Sequence, residues 1–152
     1  MAEIDCIARS NNGPVSVQSI TQDLDNLGVR PGMCLLVHSS LSALGWVCGG
    51  APAVILALEQ TVRPYGIVAM PTHSGDLSDP SGWQNPPVPE DWWDTIRDTM
   101  PPFDPDLTPT RGVGVIPETF RKQADVVRSA HPQVSFSAWG DECIEVVQNH
   151  GL

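Results

Sequence analysis

The sequence predicts an α/β fold, a layered α/β/α sandwich around a mostly parallel central sheet. Two apolar runs, residues 33–38 (MCLLVH) and 67–71 (IVAMP), are too short for helices and read as buried strands. Between them Val54, Ile55, Leu58 and Val62 share one helical face, with Pro52 where a first-turn proline belongs and Tyr65-Gly66 as a stop. Strand, loop, helix and strand in so short a span make a βαβ unit, whose strands run parallel. Ligands gather at the carboxyl ends of such strands, here the loops starting at His38 and Thr72.

The other elements follow in order. Residues 1–13 lack the basic and apolar stretches of a secretion signal. Ser19 and Gln22 have capping-box spacing, Ile20, Leu24 and Leu27 follow at helical spacing, and Gly28 closes that helix. Arg30-Pro31-Gly32 is a turn before the first strand. From residue 75 to 109 regular patterning breaks down, leaving a long loop rich in aspartate, proline and tryptophan, the kind that carries function. Within it residues 90–100 can form one helix with Trp93, Ile96 and Met100 on one side. Residues 114–123 (GVIPETFRKQ) read as a helix with Ile116 and Phe120 inward. Residues 125–129 (DVVRS) are a third strand, and Asp141 caps a last helix through Ile144 and Val147. Three strands make a thin sheet, so the sheet is expected to be incomplete, with a second chain as one way to finish it.

Composition narrows the partners. The chain has 152 residues, 41% hydrophobic and 17% charged, which fits one folded domain rather than a disordered segment. A net charge of −10 repels phosphate backbones, so nucleic acid is an unsuitable partner and a cationic small molecule a suitable one. No apolar run has the length to span a bilayer. Cys6, Cys34, Cys48 and Cys143 are too scattered for a zinc site, and with no secretion signal they read as thiols of a cytoplasmic protein.

Three groups of residues carry candidate chemistry. In LLVHSSLSALGWVCGG (residues 35–50), Ser39, Ser40 and Ser42 follow His38 at a strand end. They either cap a turn or help backbone N–H groups cradle a phosphate. The P-loop, dinucleotide and nucleophile-elbow spacings are all absent. His73, behind Thr72, is placed for a general base or an oxyanion donor; His131 and His150 are further imidazoles, and His38, His73 and Asp76 leave a metal set open. Asp76, Asp79, Glu90, Asp91 and Asp94 beside Trp83, Trp92 and Trp93 either suit a polyamine or form a solvated acidic loop with tryptophan anchors.

Together VHSSLSALGWVCGG, MPTHSGDLSDPSGWQNPPVPEDWW, TPTRGVGVIPETFR and RSAHPQVSFSAWG resemble the aminoglycoside 3-N-acetyltransferase family, in order from about residue 24 to 139. The resemblance implies acetyl transfer from acetyl-CoA to the 3-amino group of a deoxystreptamine aminoglycoside, with no metal, and hence antibiotic resistance. It implies that His38, Ser39, Ser40, Leu41 and Ser42 meet the phosphopantetheine and pyrophosphate, and that Thr110, Arg111, Gly112 and Val113 line the same channel. Thr72 would lie near the thioester as an oxyanion stabiliser, with His73 close by. Asp76, Glu90, Asp91, Trp92 and Asp94 would face the cationic sugar rings. Family members are nearly twice this length, and their later half carries a histidine-rich segment assigned to general-base work. The expectation is therefore a single acetyltransferase-like domain over residues 1–152, truncated at its carboxyl end. The alternative is a module that binds CoA or aminoglycoside without turnover.

Overall fold

A computed structural model of the chain describes residues 3–10 and 13–150. Its helices are α1 (Glu3–Arg9), α2 (Val17–Asn26), α3 (Gly50–Val62), α4 (Trp93–Thr99), α5 (Val115–Phe120) and α6 (Cys143–Val147). Its strands are β1 (Cys34–Leu36), β2 (Ile67–Pro71), β3 (Val126–Arg128) and β4 (Phe136–Gly140), in the spatial order β1-β2-β4-β3.

The α/β architecture matches the sequence reading, and so does the parallel pair, with Cys34 opposite Ile67 and Leu36 opposite Ala69. The rest of the pairing is less parallel than expected. A strand not anticipated from sequence, β4, runs antiparallel to β2, with Pro71 opposite Phe136, and β3 runs antiparallel to β4. The reason is connectivity: residues 129–135 are a short turn, and a short turn can only return the chain antiparallel. It also brings the β3–β4 turn to the end of the sheet where β1 and β2 finish.

Alternation along β2 divides the core between the faces of the sheet. Val68 and Met70 pack under α3 with Ile116 and Phe120 of α5, whereas Ala69 faces Cys143 and Val147 of α6. Helix α3 is buried on most of its circumference because the sheet lies on one side and α2 and α5 on the other. Fully burying side chains such as Ile55 and Phe120 contributes about 1.5–3 kcal/mol each. At the opposite end of the sheet from the loops, a Cβ on Gly140 would collide with the Gly66 carbonyl, so β4 meets the start of β2 only through glycine.

Two helix starts differ from expectation. Helix α2 is capped by Ser16 rather than Ser19: the Ser16 hydroxyl accepts from the Ser19 N–H, and the Ser19 hydroxyl accepts from the Ser16 N–H. Val15 bridges to Val47 just before this cap, which fixes the earlier start. At α6 the residue before the helix is Glu142, in the left-handed region and without a side-chain cap, so Asp141 does not cap it; Val147 is buried while Ile144 is exposed. The single helix expected over residues 90–100 is a 3-10 turn (Glu90–Trp92) followed by α4, and the helix expected over 114–123 is the shorter α5, which ends at Phe120.

Candidate functional site

The loop after β1 turns through a short 3-10 segment (Leu41–Ala43) and enters α3 at Gly49 and Gly50, whose φ angles of 88° and 60° suit glycine. Along this path Ser39, Ser40, Leu41 and Ser42 form one wall of a cleft of about 620 Å³. Gly112, Val113, Gly114 and Val115 form the facing wall, so segments some seventy residues apart share one cavity. Glu3 and Cys6 of α1, with Gly45 and Trp46, complete it.

The serines do not behave as turn caps. Ser40 occupies the capping position of the 3-10 segment without a side-chain bond to its backbone, and instead its hydroxyl meets that of Ser42 at 3.3 Å. Ser39 Oγ is buried with no hydrogen-bond partner. A buried hydroxyl without a partner is uncommon.

Thr110 and Arg111 stand behind the second wall. The Thr110 N–H and hydroxyl both donate to Glu118 Oε2 at 2.8 Å. The Arg111 N–H donates to the His73 carbonyl at 2.8 Å, which ties this segment to the end of β2. Burial opposes the charge of Glu118, but donation from Arg121, Lys122 and Thr110 outweighs it and holds the carboxyl well below the usual range.

Thr72 is fully buried, and its hydroxyl faces Ser137 Oγ at 3.1 Å and Ser135 Oγ at 3.4 Å across the sheet. His73 is half-buried, edge-on to Phe136 at 5.5 Å between centroids, and its Nε2 has no partner. Burial first, and then the charges of His38, His150 and His131, push the His73 pKa down, so its neutral form is favoured. His131 stacks on His150 at 5.1 Å, and Ser129 holds His150 Nδ1 at 3.0 Å. Among the described residues no three His, Cys, Asp or Glu side chains form a metal-holding group, so His38, His73 and Asp76 make none.

The acidic loop divides. Asp76 pairs with Arg111 at 2.9 Å, beside a second, smaller cleft lined by Trp83 and Asn85. Asp79 takes both Nε and Nη2 of Arg97 at 3.0 Å, and Asp94 takes Nη1 at 3.2 Å. Glu90 and Asp91 have no ion-pair partner among the described residues, and they directly precede Trp92, which is 55% exposed. The structure thus brings residues 39–42 and 112–113 together, and separately Glu90, Asp91 and Trp92. His38, exposed at the end of β1, is outside the lining of the main cleft.

Sequence reasoning missed Glu3, Cys6 and Trp46 as lining residues. The one available signal was the Gly-Trp pair inside the serine loop. Among the described residues no helix is long and apolar enough to cross a membrane.

Comparison with known proteins points one way. The family model for aminoglycoside 3-N-acetyltransferase matches residues 36–152. The SPbeta prophage-derived aminoglycoside N(3')-acetyltransferase-like protein YokD of Bacillus subtilis (strain 168) is 52% identical over 147 residues, covering 96% of this chain and 54% of the relative. The YokD crystal structure superposes with a TM-score of 0.92 at 49% identity, over 97% of this chain and 54% of that one. A structure described as AAC-IIIb binary with CoASH gives a TM-score of 0.74 at 31% identity, over 91% and 50%. One described as AAC-VIa bound to sisomicin gives 0.76 at 32%, over 91% and 50%. The chain spans about half the length of the curated relatives it matches.

Proposed function

The chain belongs to the aminoglycoside 3-N-acetyltransferase family, and from that premise we propose that it serves acetyl transfer from acetyl-CoA to the 3-amino group of a deoxystreptamine aminoglycoside, giving resistance to the drug. The observation that carries this reading is the shared cleft, in which Ser39, Ser40, Leu41 and Ser42 face Gly112 and Val113. The CoASH complex of a structural relative supports CoA as the occupant. For the drug, the exposed group of Glu90, Asp91 and Trp92 offers carboxylates to ammonium groups and an aromatic face to the sugar rings.

The reaction needs a neutral amine to attack the thioester carbonyl. The N–C bond forms as the C–S bond breaks, the ammonium proton leaves to a base, and the thiolate gains a proton. His73 has the favoured neutral state and an Nε2 without a partner, but that nitrogen is buried, so accepting the proton requires the ring to turn outward. The Thr72 hydroxyl is turned toward Ser135 and Ser137, so an oxyanion role requires it to rotate away from them.

That last observation favours a second reading, a module that binds CoA or drug without turnover. Calorimetry with CoA, followed by thiol release from acetyl-CoA with an aminoglycoside acceptor, tests both. Binding with drug-dependent thiol release supports the transferase, binding alone supports the module, and absence of binding defeats the assignment of the cleft.

A further inference from the structure

One half-buried cation beside the end of β2 is left unexplained by the site. Arg128, the last residue of β3, is half-buried, and its five N–H groups meet five acceptors. Nε donates to Ser135 Oγ at 3.0 Å, Nη1 to the Pro105 and Thr108 carbonyls at 3.1 and 2.6 Å, and Nη2 to the Thr72 carbonyl at 2.6 Å and Ser74 Oγ at 3.2 Å. The guanidinium also lies 4.9 Å from the centroid of the Phe103 ring.

Every one of those acceptors is neutral. Among the described residues no carboxylate forms an ion pair with Arg128. Burial, then the charge of Arg121, pushes its pKa down to about 10, with Glu118 opposing, so it remains a cation at neutral pH. Removing a guanidinium from water without a counter-ion is unfavourable, and a residue placed only to stabilise a strand gains nothing from it.

The acceptors explain the placement. They come from the end of β2, from the β3–β4 turn, and from the turn at residues 105–108 inside the long loop. We infer that Arg128 is the positioning residue of the site: it locks the His73-bearing end of β2 to the turn that leads into the cleft wall at residues 112–115. The chain between is pinned at each step, by Arg121 on the Asp106 carbonyl, by Glu118 on Thr110, and by the His73 carbonyl on the Arg111 N–H. Only a planar fork can reach both sides at once, since the three donors of a lysine radiate from a single nitrogen. The consequence for CoA rests on the reading of the cleft given above.

The test uses Arg128→Lys and Arg128→Ala in the full 152-residue chain, with amide hydrogen exchange and CoA calorimetry. Both variants are expected to exchange faster at residues 72–74 and 105–113 while α3 keeps its protection. CoA affinity is expected to fall about tenfold, as for residues that orient others. Lysine is expected not to rescue, whereas guanidinium ion added to Arg128→Ala is expected to restore both readouts. A lysine variant indistinguishable from wild type would overturn the inference, and so would exchange that rises equally in α3, the mark of a merely stabilising residue. If the wild-type chain does not bind CoA, the cofactor reading fails on its own, and the exchange pattern with the guanidinium rescue still decides the role of Arg128.

Discussion

Helix α3 and the long loop after β2 lie in the same fold but are held by different forces. In α3, Ile55, Ala57 and Val62 are at most 1% exposed, and apolar packing against β2, α2 and α5 does the holding. Between residues 75 and 111 little is buried, and the chain is fastened by guanidinium groups: Arg97 on Asp79, Arg111 on Asp76, Arg121 on the Asp106 carbonyl, Arg128 on Pro105 and Thr108. Four of the chain's eight basic residues are spent there, in a protein of net charge −10. Apolar packing fixes a segment at many weak points. A guanidinium fixes it at two or three strong ones, and so can place a loop that has no periodicity.

Substitutions should separate the two modes. Phe120→Ala removes a fully buried ring from the core and is expected to destabilise the whole chain by about 3–5 kcal/mol in urea unfolding. A loss confined to the loop would mean that α5 belongs to the loop rather than to the core. Glu118→Gln should cost about 2 kcal/mol, because Arg121 loses its charged partner, and Thr110 should become protease-sensitive. Ser16→Ala removes the α2 cap and should cost about 1 kcal/mol in the same assay, with no change at the loop. Asp79→Asn, on an exposed pair, should leave the melting temperature unchanged yet speed proteolysis near Arg97 at low salt more than at high salt.

Acid sharpens the contrast further. The folded His73 pKa lies below the ordinary 6.5, so the unfolded chain takes up that proton first. Its contribution is complete above pH 6.5 and is lost as pH falls from there toward the lowered value. Glu118 acts lower, because its carboxyl is depressed from 4.5: its contribution is intact above that pH and disappears as acid reaches the folded pKa. Unfolding midpoints measured from pH 8 to 3 should therefore fall in two stages, with only the first abolished by His73→Gln.

The apolar half was legible in the sequence and the guanidinium half was not. Val54, Ile55, Leu58 and Val62 announce α3 by spacing alone, and IVAMP announces β2. The strand FSAWG is short and carries small residues, and it takes its register from β2 across the sheet. Helix α1 buries nothing and is held by distant partners, Trp46 Nε1 donating to Glu3 and Arg9 donating to the Ser42 carbonyl. Neither leaves a local pattern. At the site, residues 39–42 and 112–113 were paired by family resemblance, since spacing says nothing about loops that meet only after folding. Arg128 left one faint trace, an arginine within a predicted strand and no acidic neighbour beside it in DVVRS except Asp125 at the start.

The position of α1 bears on how the protein should be handled. Its residues Glu3 and Cys6 form part of the cleft lining, and nothing on the helix is buried to resist a pull. A bulky group attached to either residue would stand in the cavity and compete with whatever enters. A label attached near Glu3 would report directly on occupancy.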